Sequence, residues 1–330
     1  MLRAGLDLAA MLVRPKTGAR PRAPPPARSR TLKIVSFLRD DALCTGALLP
    51  GDLVLDFTHA AAGLPAADGP LEWCDLDSAS HQAARRLVDA VESRMEELTA
   101  GGVIVPLDSV TLDAPVPRPG KVICIGLNYR DHAEESGMDI PELPLVFSKF
   151  SSCVVGPEAE VVLPPGAKEV DYEAEFGVVI GRTASRVKAE DAMEYVLGYC
   201  NVNDVSARDF QFADGQWQRG KSCETFCPAG PFLVTADEVA DPHALRVQFR
   251  MNGETLQDSS TNQLIFGIPE LIAHLSGFIT LEPGDLISTG TPPGVGFARK
   301  PPIYIQPGDV MEVEVEGLGV LRNAAVGAEG

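Results

Sequence analysis

Basic residues are scarce in this sequence. Lys and Arg total 28 against 46 Asp and Glu, a formal net charge of −18 over 330 residues. Phosphate binding needs clustered Lys and Arg, so neither nucleic acid nor an anionic membrane surface is an expected partner. Long apolar runs are missing as well; none approaches the roughly 18 residues of a membrane-spanning helix, and no span is expected. Cysteine is present but unpaired in number, with seven residues at positions 44, 74, 124, 153, 200, 223 and 227. An odd count, with Cys124 and others set inside apolar runs, suits buried thiols in a reducing compartment and not a disulfide framework. Cys223 and Cys227 have no His-rich partner motif, so no zinc site is expected. The remaining composition, 45% hydrophobic and 22% charged, is that of a globular chain long enough for a sizeable core.

The first 30 residues are a compositional exception. They carry Arg3, Arg14, Lys16, Arg20, Arg22, Arg28 and Arg30 against Asp7 alone, and the run Pro24-Pro25-Pro26. Arg-rich, acid-poor and with an apolar start, the segment reads as a disordered extension or a mitochondrial targeting segment. The expected location is cytoplasmic, or the mitochondrial matrix if it is a transit peptide.

From Thr31 a strand-like pattern begins, and Pro50-Gly51-Asp52 introduces a second short strand, Leu53 to Phe57. The same tripeptide recurs at 283–285 and 307–309, each time before an apolar alternation. Proline presets φ and glycine tolerates the positive φ that follows, so three tight turns and short connections are predicted. Ala84, Leu87, Val88, Val91, Met95 and Leu98 recur at helical spacing and end at Gly101-Gly102, which predicts one amphipathic helix. Met311 to Glu316 alternates apolar and acidic residues, as a half-buried strand does. The fold class is therefore α+β and β-rich. The Pro-rich stretch 115–120 suggests a boundary between a small N-terminal domain, 31–115, and a larger domain, 116–330.

The richest chemistry begins at Val170-Asp171-Tyr172-Glu173-Ala174-Glu175. As a strand through Ile180, it places Tyr172, Ala174, Phe176, Val178 and Ile180 on one face and Asp171, Glu173 and Glu175 on the other. Neighbouring carboxylates on one face repel unless water solvates them or a cation bridges them. Asp204, at the end of the apolar run Tyr199 to Val202, can reach the same place through a turn. Three carboxylates without His or Cys select a hard ion, Mg2+ or Mn2+. Arg208 reads either as a fork for a substrate carboxylate or as the ion-pair partner of a nearby Asp.

Upstream, Asn128 is a candidate N-cap for a helix holding His132 and Glu135. Three residues apart, these share a face, and a carboxylate-oriented imidazole is a competent general base near neutral pH. Lys221 could neutralise an oxyanion or lie on the surface. The Gly-rich run from Thr289 to Gly296 lacks the features of a nucleotide-binding loop, but can offer N–H groups and the Thr291 hydroxyl to an anion.

Taken together, these segments, with Phe147-Ser148-Lys149 and Gly220-Lys221-Ser222, resemble the fumarylacetoacetate hydrolase family, nearest its domain-containing subgroup. The similarity runs from about Lys121 to Val320. It implies a roll-like, β-rich catalytic domain, a homodimer, and Mg2+ or Mn2+ on Glu173, Glu175 and Asp204. His132 with Glu135 would be the catalytic pair, Lys221 the enolate partner, and Arg208, Gln211 and Thr291 substrate contacts. A further carboxylate that the fumarylacetoacetate hydrolases carry ahead of the catalytic His has no match here, Asn128 being nearest. The implied activity acts on a small 2-oxo acid: C–C hydrolysis of a diketo acid, or instead oxaloacetate tautomerisation or decarboxylation, or isomerisation of an unsaturated dioic acid. The remaining alternative is a non-catalytic, metal-binding regulatory protein.

Overall fold

The computed structural model describes residues 32–328; the expected targeting or extension segment, residues 1–30, lies outside them. The three Pro-Gly-Asp turns form as the sequence predicts. Gly51, Gly284 and Gly308 sit at φ of 81°, 86° and 96°, and lead into the strands Leu53–Asp56, Leu286–Ser288 and Val310–Val315. Strand Val310–Val315 buries Met311, Val313 and Val315, while Arg250 from the neighbouring strand Arg246–Met251 pairs with Glu312 and Glu314.

Strands assemble into a 12-stranded mixed sheet, a five-stranded sheet and a two-stranded ladder. In the large sheet, strand Lys33–Arg39 pairs antiparallel with Cys227–Thr235, matching Lys33 with Val234. The sheet is thus continuous across the boundary expected at 115/116. Its centre is built from Ala174–Ile180 and Val196–Asn203, buried on both faces. Side-chain alternation divides the core between the two faces. On one lie Phe176, Val178, Tyr199 and Val35, packed with the five-stranded sheet and the helix Ile268–Ser276. On the other lie Val179, Leu197, Cys200 and Ile34, covered by the helix Ala79–Ala100.

That helix spans the predicted apolar stripe. Ser78 caps it by accepting the His81 N–H, and Ala84, Leu87, Val88, Val91 and Leu98 face inward. All seven cysteines are free thiols, six of them buried and Cys223 half-buried. Among the described residues no helix is long and apolar enough to cross a membrane.

Candidate active site

Two segments distant in sequence are zipped antiparallel to make the site. Val170 pairs with Ala207 and Asp171 with Ser206 in the two-stranded ladder, and Ala174 with Asn203 in the large sheet. Between them the Asp204 N–H donates to the Glu173 carbonyl at 2.9 Å, and the Glu173 N–H to Asn203 Oδ1 at 3.1 Å. The single strand expected over 170–180 is therefore broken at Tyr172 and Glu173, where the chain leaves one ladder for another. The two faces survive the break: Tyr172, Ala174, Phe176, Val178 and Ile180 join one core cluster. The acids are not a solvated edge, since Asp171, Glu173, Glu175 and Asp204 are all buried.

One ligand atom from each of Glu173, Glu175 and Asp204 lies within 4.8 Å of the others. Burying so many charges requires compensation, and most of it is present. Lys221 Nζ donates to Glu173 Oε2 and Asp204 Oδ2, each at 2.7 Å, and Lys149 Nζ to Asp204 Oδ1 at 2.5 Å. Arg208 donates to Asp171 Oδ2 at 2.9 Å, to Glu173 Oε1 at 2.5 Å and to Gln211 Oε1 at 3.0 Å. Four carboxylates (Asp171, Glu173, Glu175, Asp204) thus face three cations (Lys149, Arg208, Lys221), which leaves one carboxyl without a cation. It is Glu175, whose partners are the Ser288 hydroxyl at 2.5 Å and the Gly290 N–H at 2.9 Å.

Titration follows this arrangement. Burial raises the Glu175 carboxyl, and the Asp204 and Glu173 charges add to that, to about 8. Burial works against the Glu173 charge too, but Arg208 and Lys221 overcome it and hold this carboxyl well below its usual range. For Lys149, burial opposes the charge and Asp204 more than restores it, so the ammonium titrates above its ordinary value. An oxygen-only set of buried carboxylates, one of them lacking a cation, fits a hard divalent ion.

On the helix Arg130–Ser136, His132 Nδ1 lies 3.2 Å from Glu135 Oε2. Glu135 is fixed in turn by the Gly294 N–H, at 3.0 and 3.1 Å from its two oxygens. The Gly-rich loop serves other acids as well: Gly290 donates to Glu175, and Gly296 to Asp171 at 2.6 Å. The anions cradled by this loop are the protein's own carboxylates. Glycine is required there, because a Cβ on Gly296 would lie 1.9 Å from the Ile303 carbonyl oxygen and 2.5 Å from Asp171 Oδ1.

A cavity of about 500 Å³ is lined by His132, Glu173, Glu175, Arg208, Gln211, Lys221 and Thr291. Seven of the nine candidate residues therefore share one wall or another of it. Asp204 stands behind Lys221, and Glu135 behind His132. Thr291 is committed to the fold: its hydroxyl donates to the Ala174 carbonyl at 3.0 Å and accepts from Gln257 Nε2 at 2.9 Å. The lining also includes the apolar side chains of Leu143, Leu145, Phe147, Trp217 and Phe297. Arg208 lies 4.5 Å over the Phe297 ring.

The structure also corrects one expectation and adds residues. Asn128 is not an N-cap; Tyr129 holds that position, without a side-chain cap. The Asn128 amide instead clamps two loops, donating to the Phe266 and Thr289 carbonyls and accepting the Phe266 N–H. A carboxylate there would forfeit both donations. Lys149, Asp171, Ser288 and Gln257 belong to the site's support. Lys149 lies in the segment Phe147-Ser148-Lys149 and Asp171 on the acidic face, but neither sequence context signals a buried ion pair.

The sequence model described as Fumarylacetoacetate (FAA) hydrolase C-terminal matches residues 121–326. Mitochondrial oxaloacetate tautomerase Fahd2a of Rattus norvegicus is 53% identical over 224 residues, 68% of this chain and 72% of its own. Fumarylacetoacetate hydrolase domain-containing protein 2 homolog of Dictyostelium discoideum is 47% identical over 230 residues, 66% of this chain and 75% of its own. Among solved structures, fumarylacetoacetate hydrolase from Exiguobacterium antarcticum superposes with a TM-score of 0.74 at 34% identity, covering 90% of this chain and 100% of that one. The 2-hydroxyhepta-2,4-diene-1,7-dioate isomerase of Mycobacterium marinum gives 0.69 at 31%, covering 91% and 100%. With its paired carboxylate strands, its His–Glu helix and these relatives, the chain belongs to the fumarylacetoacetate hydrolase family.

Proposed function

We propose that the chain is an enolate-stabilising enzyme whose principal reaction is the tautomerisation of a small 2-oxo acid, oxaloacetate foremost. One observation carries this reading: a buried carboxylate cluster with one member unpaired by a cation shares a single cavity with an oriented histidine. The tautomerase names of relatives near 50% identity support the second of the reactions left open by the sequence over C–C hydrolysis. Mg2+ or Mn2+ held by Glu173, Glu175 and Asp204 would supply Lewis-acid polarisation to the 2-oxo carboxylate.

The chain's own groups do the rest. His132, its Nδ1 bonded to Glu135, takes a proton from the carbon next to the oxo group. Lys221 can donate to the oxo oxygen as negative charge develops, and returning that proton to oxygen yields the enol. Arg208 and Gln211 offer donors to a carboxylate and so set the substrate's orientation. The homodimer implied by the family remains part of the proposal and is decided by sedimentation.

The test is the interconversion of enol and keto oxaloacetate, followed by ultraviolet absorbance at saturating Mg2+. The wild-type chain should exceed the rate of Mg2+ alone, and Asp204→Ala should return it to that background. A wild-type rate equal to background would overturn the proposal. The His132–Glu135 pair could also activate water for diketo-acid cleavage, so acylpyruvate is measured on the same preparations. His132→Ala removes the base from both reactions, so it should abolish any cleavage and bring tautomerisation close to the Mg2+ background, with Glu135→Gln adding little further in the His132→Ala chain.

A further inference from the structure

Asp204 is gripped by two lysines, one on each oxygen, and the two are unlike. Lys149 bonds Oδ1 at 2.5 Å and the Val205 carbonyl at 3.0 Å, and its side chain is fully buried. It ends the strand Leu145–Lys149, fixed by pairing with Val122–Gly126, and is not among the residues lining the active-site cavity. Lys221 bonds Oδ2 at 2.7 Å, but its second partner is Glu173 Oε2, also at 2.7 Å, and it does line the cavity. Its ammonium thus sits between the oxygens of two of the three carboxylates assigned above to the metal.

We infer that these lysines have opposite roles: Lys149 is a permanent positioning residue that commits Oδ1 of Asp204 and turns Oδ2 inward, whereas Lys221 is a displaceable counter-ion that a divalent cation evicts. The inference rests on the metal site proposed above. It gives loading of the site a second consequence. An ammonium released from Glu173 and Asp204 is free to face an incoming oxo acid, so the lysine becomes available only when the ion is in place.

The physical argument supplies a difference in sign. By Coulomb's law alone, deleting either positive charge beside the carboxylates should strengthen cation binding. Lys221→Met removes a competitor as well, so affinity should rise severalfold. Lys149→Met removes the same charge but leaves Oδ1 without its buried partner, so Asp204 is free to turn away from the site. Loss of an orienting partner of this kind typically costs about 10-fold or more in metal affinity, enough to reverse the sign.

Mn2+ titrations of the full chain, read by the electron paramagnetic resonance of free Mn2+ and by calorimetry, separate these cases. Wild type, Lys221→Met, Lys149→Met and Lys149→Gln are compared after thermal melts establish folding. Tighter binding in Lys221→Met with weaker binding in Lys149→Met is the expected result. Lys149→Gln, which keeps an N–H donor, should recover part of the loss. Tightening in both lysine-to-Met variants would reduce the effect to charge, and weakening in both would mean that Lys221 is not displaced; either overturns the inference. If Lys149→Met does not fold, the Lys149→Gln sign decides: weaker than wild type supports positioning, equal or tighter overturns it. No Mn2+ binding by wild type would instead bring down the metal site itself, and this inference with it.

Discussion

Replacing Arg208 by Met removes a buried cation from the cavity wall. The guanidinium serves Asp171, Glu173 and Gln211 and is itself buried. Methionine fills most of its volume without a donor, so the loss is electrostatic more than steric. Removing one partner of a buried ion pair costs about 3–5 kcal/mol. Two features pull this case toward the lower end: Asp171 keeps the N–H groups of Tyr172, Gly296 and Phe297, and Glu173 keeps Lys221. About 3 kcal/mol is therefore expected at pH 7 in chelator, from the bottom of that range. The deficit should also depend on pH. Burial already raises the Asp171 carboxyl above its ordinary value despite Arg208, and without the arginine it must rise further. A carboxyl raised in the folded state binds its proton there before the unfolded chain does. Folded-state stability then falls as pH rises through that range and recovers as pH falls. The Arg208→Met deficit should accordingly shrink between pH 7 and pH 5. Urea unfolding followed by circular dichroism at both pH values measures it. A deficit below about 1 kcal/mol at pH 7, the value expected of a solvated surface pair, or one that grows toward pH 5, would refute the reasoning.

Other consequences are open to measurement. Because the Glu175 carboxyl is raised to about 8, chiefly by burial, the ion-free protein should lose stability as pH rises toward that value. Metal binding at pH 7 should release about one proton, with affinity climbing until about pH 8; a calorimetric enthalpy independent of buffer ionisation heat would contradict this. Gly296→Ala, whose Cβ meets the Ile303 carbonyl and Asp171, should destabilise by about 3 kcal/mol or more, in the tail of single-substitution effects. Gly215→Ala, with open space around it but φ at 77°, should cost no more than about 1–2 kcal/mol. Similar melting temperatures for these two variants would refute the loop's assigned role.

Local chemistry made much of the molecule legible in the sequence. A glycine that must take positive φ announces its turn, and a 3.6-residue stripe announces the helix Ala79–Ala100, because both signals reside within a few residues. The acidic and apolar faces of 171–180 were equally readable, since strand alternation needs no knowledge of the partner. The break at Tyr172 was not, because it arises from a change of partner between two ladders. The pairing of Lys33 with Val234 was likewise hidden: register between strands 200 residues apart leaves no local trace. Lys149 illustrates the limit for the site. A lone lysine in sequence reads as surface, and only the fold reveals that Asp204 waits for it in the interior. Asn128 misled for the opposite reason, since an Asn before a helix has a strong local precedent that tertiary bonding overrode.

The loop over residues 289–297 carries an implication for how this scaffold can change. Its N–H groups reach Glu175 in the large sheet, Asp171 in the small ladder and Glu135 on the helix. An inserted or deleted residue there would shift the spacing of all three acids in one step, so the loop's length is a fixed gauge. Leu143 and Leu145 hold no acid in place, and both are exposed at the cavity's outer wall. New substrate preferences can be written into that wall by substitution or by altered loop length, with the carboxylate frame left untouched.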